Sequence, residues 1–131
     1  MKKILILSLL MAISGCASVI GGRNQHILLV PDNDEEVTAM VTTRDWSQEL
    51  TLPATIYTRK TKKDIVVRID ENACHEKSYQ TIASSLNPLI LGNVIIGGVI
   101  GLIVDFSTGA AWKFGKTETV HVKNKETCKV K

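Results

Sequence analysis

Residues 89–104 constrain the fold of this 131-residue chain more than any other stretch, because sixteen consecutive positions hold a single polar residue, Asn93. Four of them are glycines, Gly92, Gly97, Gly98 and Gly101. In an exposed helix each would cost about 1 kcal/mol relative to alanine, so some other contact must offset the sum. Gly97 and Gly101 form a GxxxG face, which lets a neighbouring backbone come close. Sixteen helical residues reach about 24 Å, short of a ~30 Å hydrocarbon core. A full transmembrane span would therefore need a thinned bilayer or help from Leu86. A glycine-rich helix or helical hairpin, buried or dipping into a membrane, fits better. A buried pair of strands stays open as well, since valine and isoleucine dominate and glycine is poor in helices. Asn87 is the expected N-cap, with Pro88 in the first turn.

The N-terminus carries a second constraint. Lys2 and Lys3 precede an apolar run, Ile4 to Ile13, broken only by Ser8, and Ile13-Ser14-Gly15-Cys16 follows. This order resembles the lipobox of bacterial lipoprotein signal peptides. A run of about ten residues suits a signal h-region and is far from the ~20 needed to cross a bilayer. The resemblance implies diacylglyceryl transfer to the Cys16 thiol and cleavage before it. An ordinary secretory signal with a chance cysteine is the weaker reading. The expected organisation is a signal peptide at 1–15, a lipidated tether at 16–23 and a single small domain at 24–131, with its apolar segment at 87–112. Ala17 and Ser18 follow Cys16 with no aspartate between. In enteric-type bacteria that pattern implies the outer membrane, here on its periplasmic side. Three acyl chains exceed the two signals that stable anchoring requires.

The chain has 16 basic and 13 acidic residues, and removing Lys2 and Lys3 leaves 14 against 13. Such balance argues against a nucleic-acid partner, which is met by a basic face. With Cys16 lipidated, Cys74 and Cys128 remain, and two thiols in an oxidising periplasm are expected to form a disulfide. Closing a loop of that length stabilises by ~3 to ~4.7 kcal/mol in the loop-entropy picture. His75 and His121 lie near the two cysteines, but no CxxC or HxxxH spacing supports a metal site over the disulfide.

Strands are expected at 25–30, ended by the turn cluster Pro31-Asp32-Asn33-Asp34, and at 37–42, where Val37, Ala39 and Val41 alternate with Thr38, Met40 and Thr42. Arg44 to Ser47 marks a turn. Strands at 54–58 and 65–69 flank the basic run Arg59 to Lys63. That run reads as a solvated hairpin tip, ahead of a contact with lipid headgroups. A weaker strand covers 77–84, and 119–123 closes the sheet. The fold class is α+β, mainly β: a small antiparallel β-sandwich with the apolar helix or helical hairpin inserted before the last strand.

Two stretches resemble known families. Glu36-Val37-Thr38-Ala39, Leu52-Pro53-Ala54-Thr55-Ile56 and Asp64 to Ile69 are similar to the PEGA repeat of bacterial surface proteins, a small β-sandwich module. Leu52 stands where that repeat has threonine, and Asn72-Ala73-Cys74 where it has glycine-tyrosine. Gly92-Asn93, Gly97-Gly98, Gly101, Asp105 and Thr108-Gly109-Ala110-Ala111 together resemble the C-terminal part of small proteobacterial lipoproteins, which carry this segment after a PEGA-like region. The resemblance implies location and fold and names no reaction. The glycines also resemble those of glycine-zipper envelope lipoproteins, with fewer repeats.

Catalysis needs a nucleophile and base in reach, or paired carboxylates, in a pocket. Asp105, beside Thr108, is the one acid embedded in apolar sequence. It is expected instead to cap a short second helix from Phe106 to Trp112. No phosphate loop or nucleophile elbow is present in the sequence. Trp46, Tyr57 and Trp112 would suit a carbohydrate platform but serve more often as core or interface anchors. The expected function is a non-enzymatic structural or interaction module, lipid-anchored in the envelope, with no cofactor or metal. Gly97, Gly98, Gly101 and Asp105 form its packing segment, and an envelope protein or a second copy is the partner. A small-ligand or carbohydrate-binding lipoprotein is the alternative.

Overall fold

The computed structural model describes residues 22–128. Period-2 alternation builds the first strands. β1 (Asn24–Pro31) buries Ile27, Leu29 and Pro31, and β2 (Val37–Thr42) buries Val37, Ala39 and Val41. β3 (Ser47–Leu52) follows, then β4 (Ala54–Arg59), which buries Ile56 and Thr58, and β5 (Ile65–Ile69), which buries Ile65, Val67 and Ile69. After β6 (Ser78–Ile82) and β7 (Ser85–Leu86) comes the helical segment α1 (Leu89–Thr108). β8 (Trp112–Lys113), β9 (Thr117–Val120) and a 3₁₀ turn (Glu126–Cys128) complete the order.

The strands form a three-stranded sheet, β4-β1-β9, a four-stranded sheet, β3-β2-β5-β6, and the two-stranded pair β7-β8. The two larger sheets share one core. Ile27, Leu29, Ile56 and Val120 come from the first, and Val37, Val41, Leu52, Val67 and Ile82 from the second, with Phe114 beside them. The chain is thus mainly β with one helical segment, as expected. One pairing departs from the antiparallel expectation: β9 runs parallel to β1, from Leu28↔Thr117 to Pro31↔Val120.

Several local expectations need correction. β3 was not legible because Ser-Gln-Glu-Leu-Thr-Leu lies on a sheet edge and buries only Leu52. The last strand ends at Val120 rather than at 123. The His121 amide goes instead to Gln80 Oε1 and the Val122 amide to Asp32 Oδ1, both at 2.9 Å. Side chains there replace the ladder. The basic run at 59–63 is not a hairpin tip, because β4 and β5 belong to different sheets and the run crosses between them.

The domain has two dissimilar ends. β1 begins beside Lys60, whose amide donates to the Arg23 carbonyl at 2.7 Å. It finishes at Pro31, just before Asp32, whose amide donates to the Val120 carbonyl. Beyond this second end lie Asp34, Glu35 and Glu36, and the disulfide between Cys74 and Cys128, with Cα atoms 5.1 Å apart. The expected crosslink is present. It ties the C-terminal turn to the 72–75 loop, where Lys125 N–H also donates to the Cys74 carbonyl at 2.8 Å.

Candidate functional site

The apolar segment is helical, which removes the strand-pair reading, and it does not run straight. Gly98 sits inside α1 at φ 57° and ψ −148°, outside any helical conformation and open to glycine alone without strain. The flanks prove the reversal. β7 and β8 pair antiparallel through Ser85↔Lys113 and Leu86↔Trp112, and the Asn87 amide donates to the Ala111 carbonyl at 2.8 Å. Two residues on one side and three on the other leave the ends of α1 at most about 23 Å apart. Twenty residues of unbroken helix would hold them about 29 Å apart. The segment is a helical hairpin with arms at 89–97 and 99–108.

The base is built by local rules. Pro88 occupies the N-cap with φ −57°, and Asn87 Oδ1 accepts the Leu89 amide at 3.3 Å while its Nδ2 donates to the Ala110 carbonyl. The expected cap is displaced by one residue: Pro88, not Asn87, is the N-cap, and Asn87 braces the helix start from the position before it. Gly109 ends the second arm in the left-handed conformation, φ 84°. A Cβ there would overlap the Lys60 carbonyl oxygen, so this glycine also brings the hairpin against the basic crossover. Lys62 Nζ lies 5.9 Å from the centroid of the Trp112 ring, and Trp112 meets Phe106 edge-on at 5.9 Å. Gln25 locks the following turn, accepting the Phe114 amide at 3.0 Å and donating to its carbonyl at 3.1 Å.

Beside this base opens a cleft of about 770 Å³ whose lining includes His26, Lys60, Leu89, Lys113, Phe114 and Lys116. Partial burial lowers the pKa of the Lys60 ammonium from its ordinary value. The arms present large apolar side chains to their surroundings. Ile95 is 85 % exposed and Ile100 77 %, and Leu91, Val99 and Ile103 are exposed as well. Among the described residues, none of α1 belongs to the core shared by the sheets.

The residues singled out from the sequence fall in three places. Cys16 lies outside the described residues. Cys74 and Cys128 stand at the acidic end, and Gly97, Gly98, Gly101 and Asp105 lie in α1. Gly97 and Gly98 do not pack against the chain: a side chain at either would meet nothing within 4 Å. Gly98 is there for its turn. Asp105 does not cap a second helix, because α1 continues to Thr108 and Trp112 is already in β8. Asp105 is buried in the last turn of α1, and its carbonyl accepts the Ala111 amide. The three aromatics do not form one platform: Trp46 Nε1 donates to the Tyr57 carbonyl, the Tyr57 ring lies tilted against His26, and Trp112 serves the hairpin base. Among the described residues no group of histidines, cysteines and carboxylates is placed to hold a metal, and no helix is long and apolar enough to cross a membrane.

The close approach of Gly109 to Lys60 is the feature of this site that sequence reasoning missed. A glycine closing a helix is a readable C-cap signal. The carbonyl it must approach comes from a crossover 49 positions earlier, which nothing local announces. No family model, curated protein or solved structure matches the chain.

Proposed function

We propose that this chain is a membrane-anchored envelope lipoprotein, on the periplasmic side of the outer membrane, acting as a non-enzymatic structural or interaction module. In this reading the β domain is a PEGA-like sandwich and a rigid support, and the hairpin is the element that makes contact. The lipobox-like start at Ile13 to Cys16 supports the anchor. The observation that carries the reading is the exposure of both apolar arms on a domain whose core is complete without them. Exposed apolar surface on this scale marks an interaction site. The test is mass analysis of the N-terminal peptide from the membrane fraction. The reading expects Cys16 as the first residue, bearing acyl chains. An unmodified Cys16, or cleavage elsewhere, contradicts it.

The cleft beside the hairpin base favours a second reading, a small-ligand or carbohydrate-binding lipoprotein, since it offers more volume than a chain this short is expected to build. That reading expects a saturable rise in melting temperature with a soluble sugar or metabolite, and loss of the rise in a Lys113→Ala variant.

A further inference from the structure

The first arm of α1 is apolar but for Asn93, and the second is apolar from Val99 to Val104, with Asp105 buried in its last turn at the base. A helix of that kind belongs in a core or in lipid, and no core covers this one. The apolar run is about 13 Å long in the first arm and about 9 Å in the second, which fits within one leaflet of a ~30 Å hydrocarbon core. The base carries the residues of a membrane interface. Trp112 and Phe106 supply amphipathic and apolar rings, and Lys60, Lys62, Lys113 and Lys116 supply long stems with charged ends. The opposite end of the domain carries Asp32, Asp34, Glu35, Glu36 and Glu71 against Lys123 and Lys125, and this excess of acid orients the molecule with its hairpin toward an anionic surface. The N-terminal part of the chain leaves at the same end: Arg23 is bonded to Lys60, and the Lys60 carbonyl abuts Gly109. Six residues lie between Cys16 and Arg23, a reach of at most about 25 Å over the seven Cα steps.

We propose that α1 is a re-entrant anchor: the hairpin enters one leaflet of an anionic phospholipid bilayer, and the lysine-lined cleft at its base seats a lipid phosphate. Which membrane it meets rests on the lipoprotein reading above; the insertion itself does not. The turn at Gly98 is the costly point, since hydrocarbon offers no partner to backbone groups that a break releases. The exposed side chains of both arms supply the offsetting burial. A hairpin of this depth disturbs one leaflet and leaves the other intact, and with the lipid at Cys16 it holds the domain at two points. Two points fix the orientation of the domain on the surface, which a single flexible tether does not.

The test uses the full chain in vesicles of phosphatidylethanolamine and phosphatidylglycerol, with a diazirine-bearing residue in place of Val99, near the turn, or of Lys123, at the acidic end. The Val99 probe should form adducts with phospholipid acyl chains and the Lys123 probe should not. Reaction of the Val99 probe with water, with another protein or with a second copy of the chain overturns the insertion. The state of Cys16 is read from the same sample. A lipidated Cys16 with an aqueous Val99 probe overturns the insertion and leaves the lipoprotein reading standing. An unmodified Cys16 with acyl adducts at Val99 does the reverse. A probe at Leu89 reads the phosphate seat. Its adducts should be enriched in phosphatidylglycerol over the bulk lipid, and Lys113→Gln with Lys116→Gln should lower that enrichment by about five-fold for each charge removed. Unchanged enrichment overturns the seat.

Discussion

The Asn87 amide donates to the Ala111 carbonyl at 2.8 Å, joining the two ends of an apolar segment 23 residues long. That bond and the β7-β8 pair beside it make the segment a loop on a closed stem, with Gly98 as its reversal. The shape follows from three small devices: an asparagine that serves both ends, a glycine at the tip and a glycine at the base.

Gly109, at φ 84°, should respond differently from Gly97. Gly109→Ala places a methyl against the Lys60 carbonyl in a conformation that L residues avoid, and should destabilise by about 1–3 kcal/mol. Gly97→Ala meets open space and regains helix propensity, so it should be neutral or stabilising by up to ~1 kcal/mol. Thermal melting of the two variants checks this. Equal effects would contradict the assignment of close approach to Gly109.

The disulfide lies at the end opposite the hairpin, and its loss should loosen that end first. Cys74 and Cys128, 54 positions apart, should resist alkylation until reduced. Reduction should lower stability by ~3 to ~4.7 kcal/mol on the loop-entropy picture. Chemical denaturation with and without reductant measures the difference. Two thiols that alkylate in the freshly isolated native protein contradict the crosslink.

Asp32 gives the acidic end a pH response. The Val122 amide, and next the His121 ring, hold its carboxyl below the ordinary carboxylate range. A carboxyl whose folded pKa is depressed stabilises fully above its unfolded value of about 3.9, and the contribution is lost as pH falls through the folded value. Lys125 depresses Glu71 in the same direction from an exposed position. The parent should therefore lose melting temperature on acidification below about pH 4, and Asp32→Asn should lose less over the same range. An identical slope in the two proteins contradicts the role given to Asp32.

Gln25 links β1 to the turn after β8 through a bond in each direction with Phe114. Gln25→Ala removes both and leaves a part-buried amide and carbonyl without that partner, a loss of about 1–3 kcal/mol. Amide exchange should rise at Phe114 and at the stem of the hairpin while β5 stays protected. Exchange that rises uniformly across the domain contradicts a local role.

Much of this fold was legible because alternation is local. β2 and β5 declare themselves through Val37, Ala39, Val41 and through Ile65, Val67, Ile69, and the structure buries those six. β3 and the pair β7-β8 did not declare themselves, since their partners, not their composition, make them strands. The crossover at 59–63 was misread for a similar reason: a basic run looks the same between paired strands and between sheets. In the apolar segment the glycines were visible and their roles were not. A φ of 57° at Gly98 and the nearness of Lys60 to Gly109 depend on where the chain returns, which only the closed stem decides.

The most direct measurement is the distance between spin labels at Leu89 and Thr108 in the full chain, taken by double electron–electron resonance in phospholipid vesicles. A hairpin on a closed stem places the two backbone positions within about 23 Å of each other. A distance near 29 Å, that of an unbroken twenty-residue helix, would show a straight segment and contradict both the hairpin and its seat in a single leaflet.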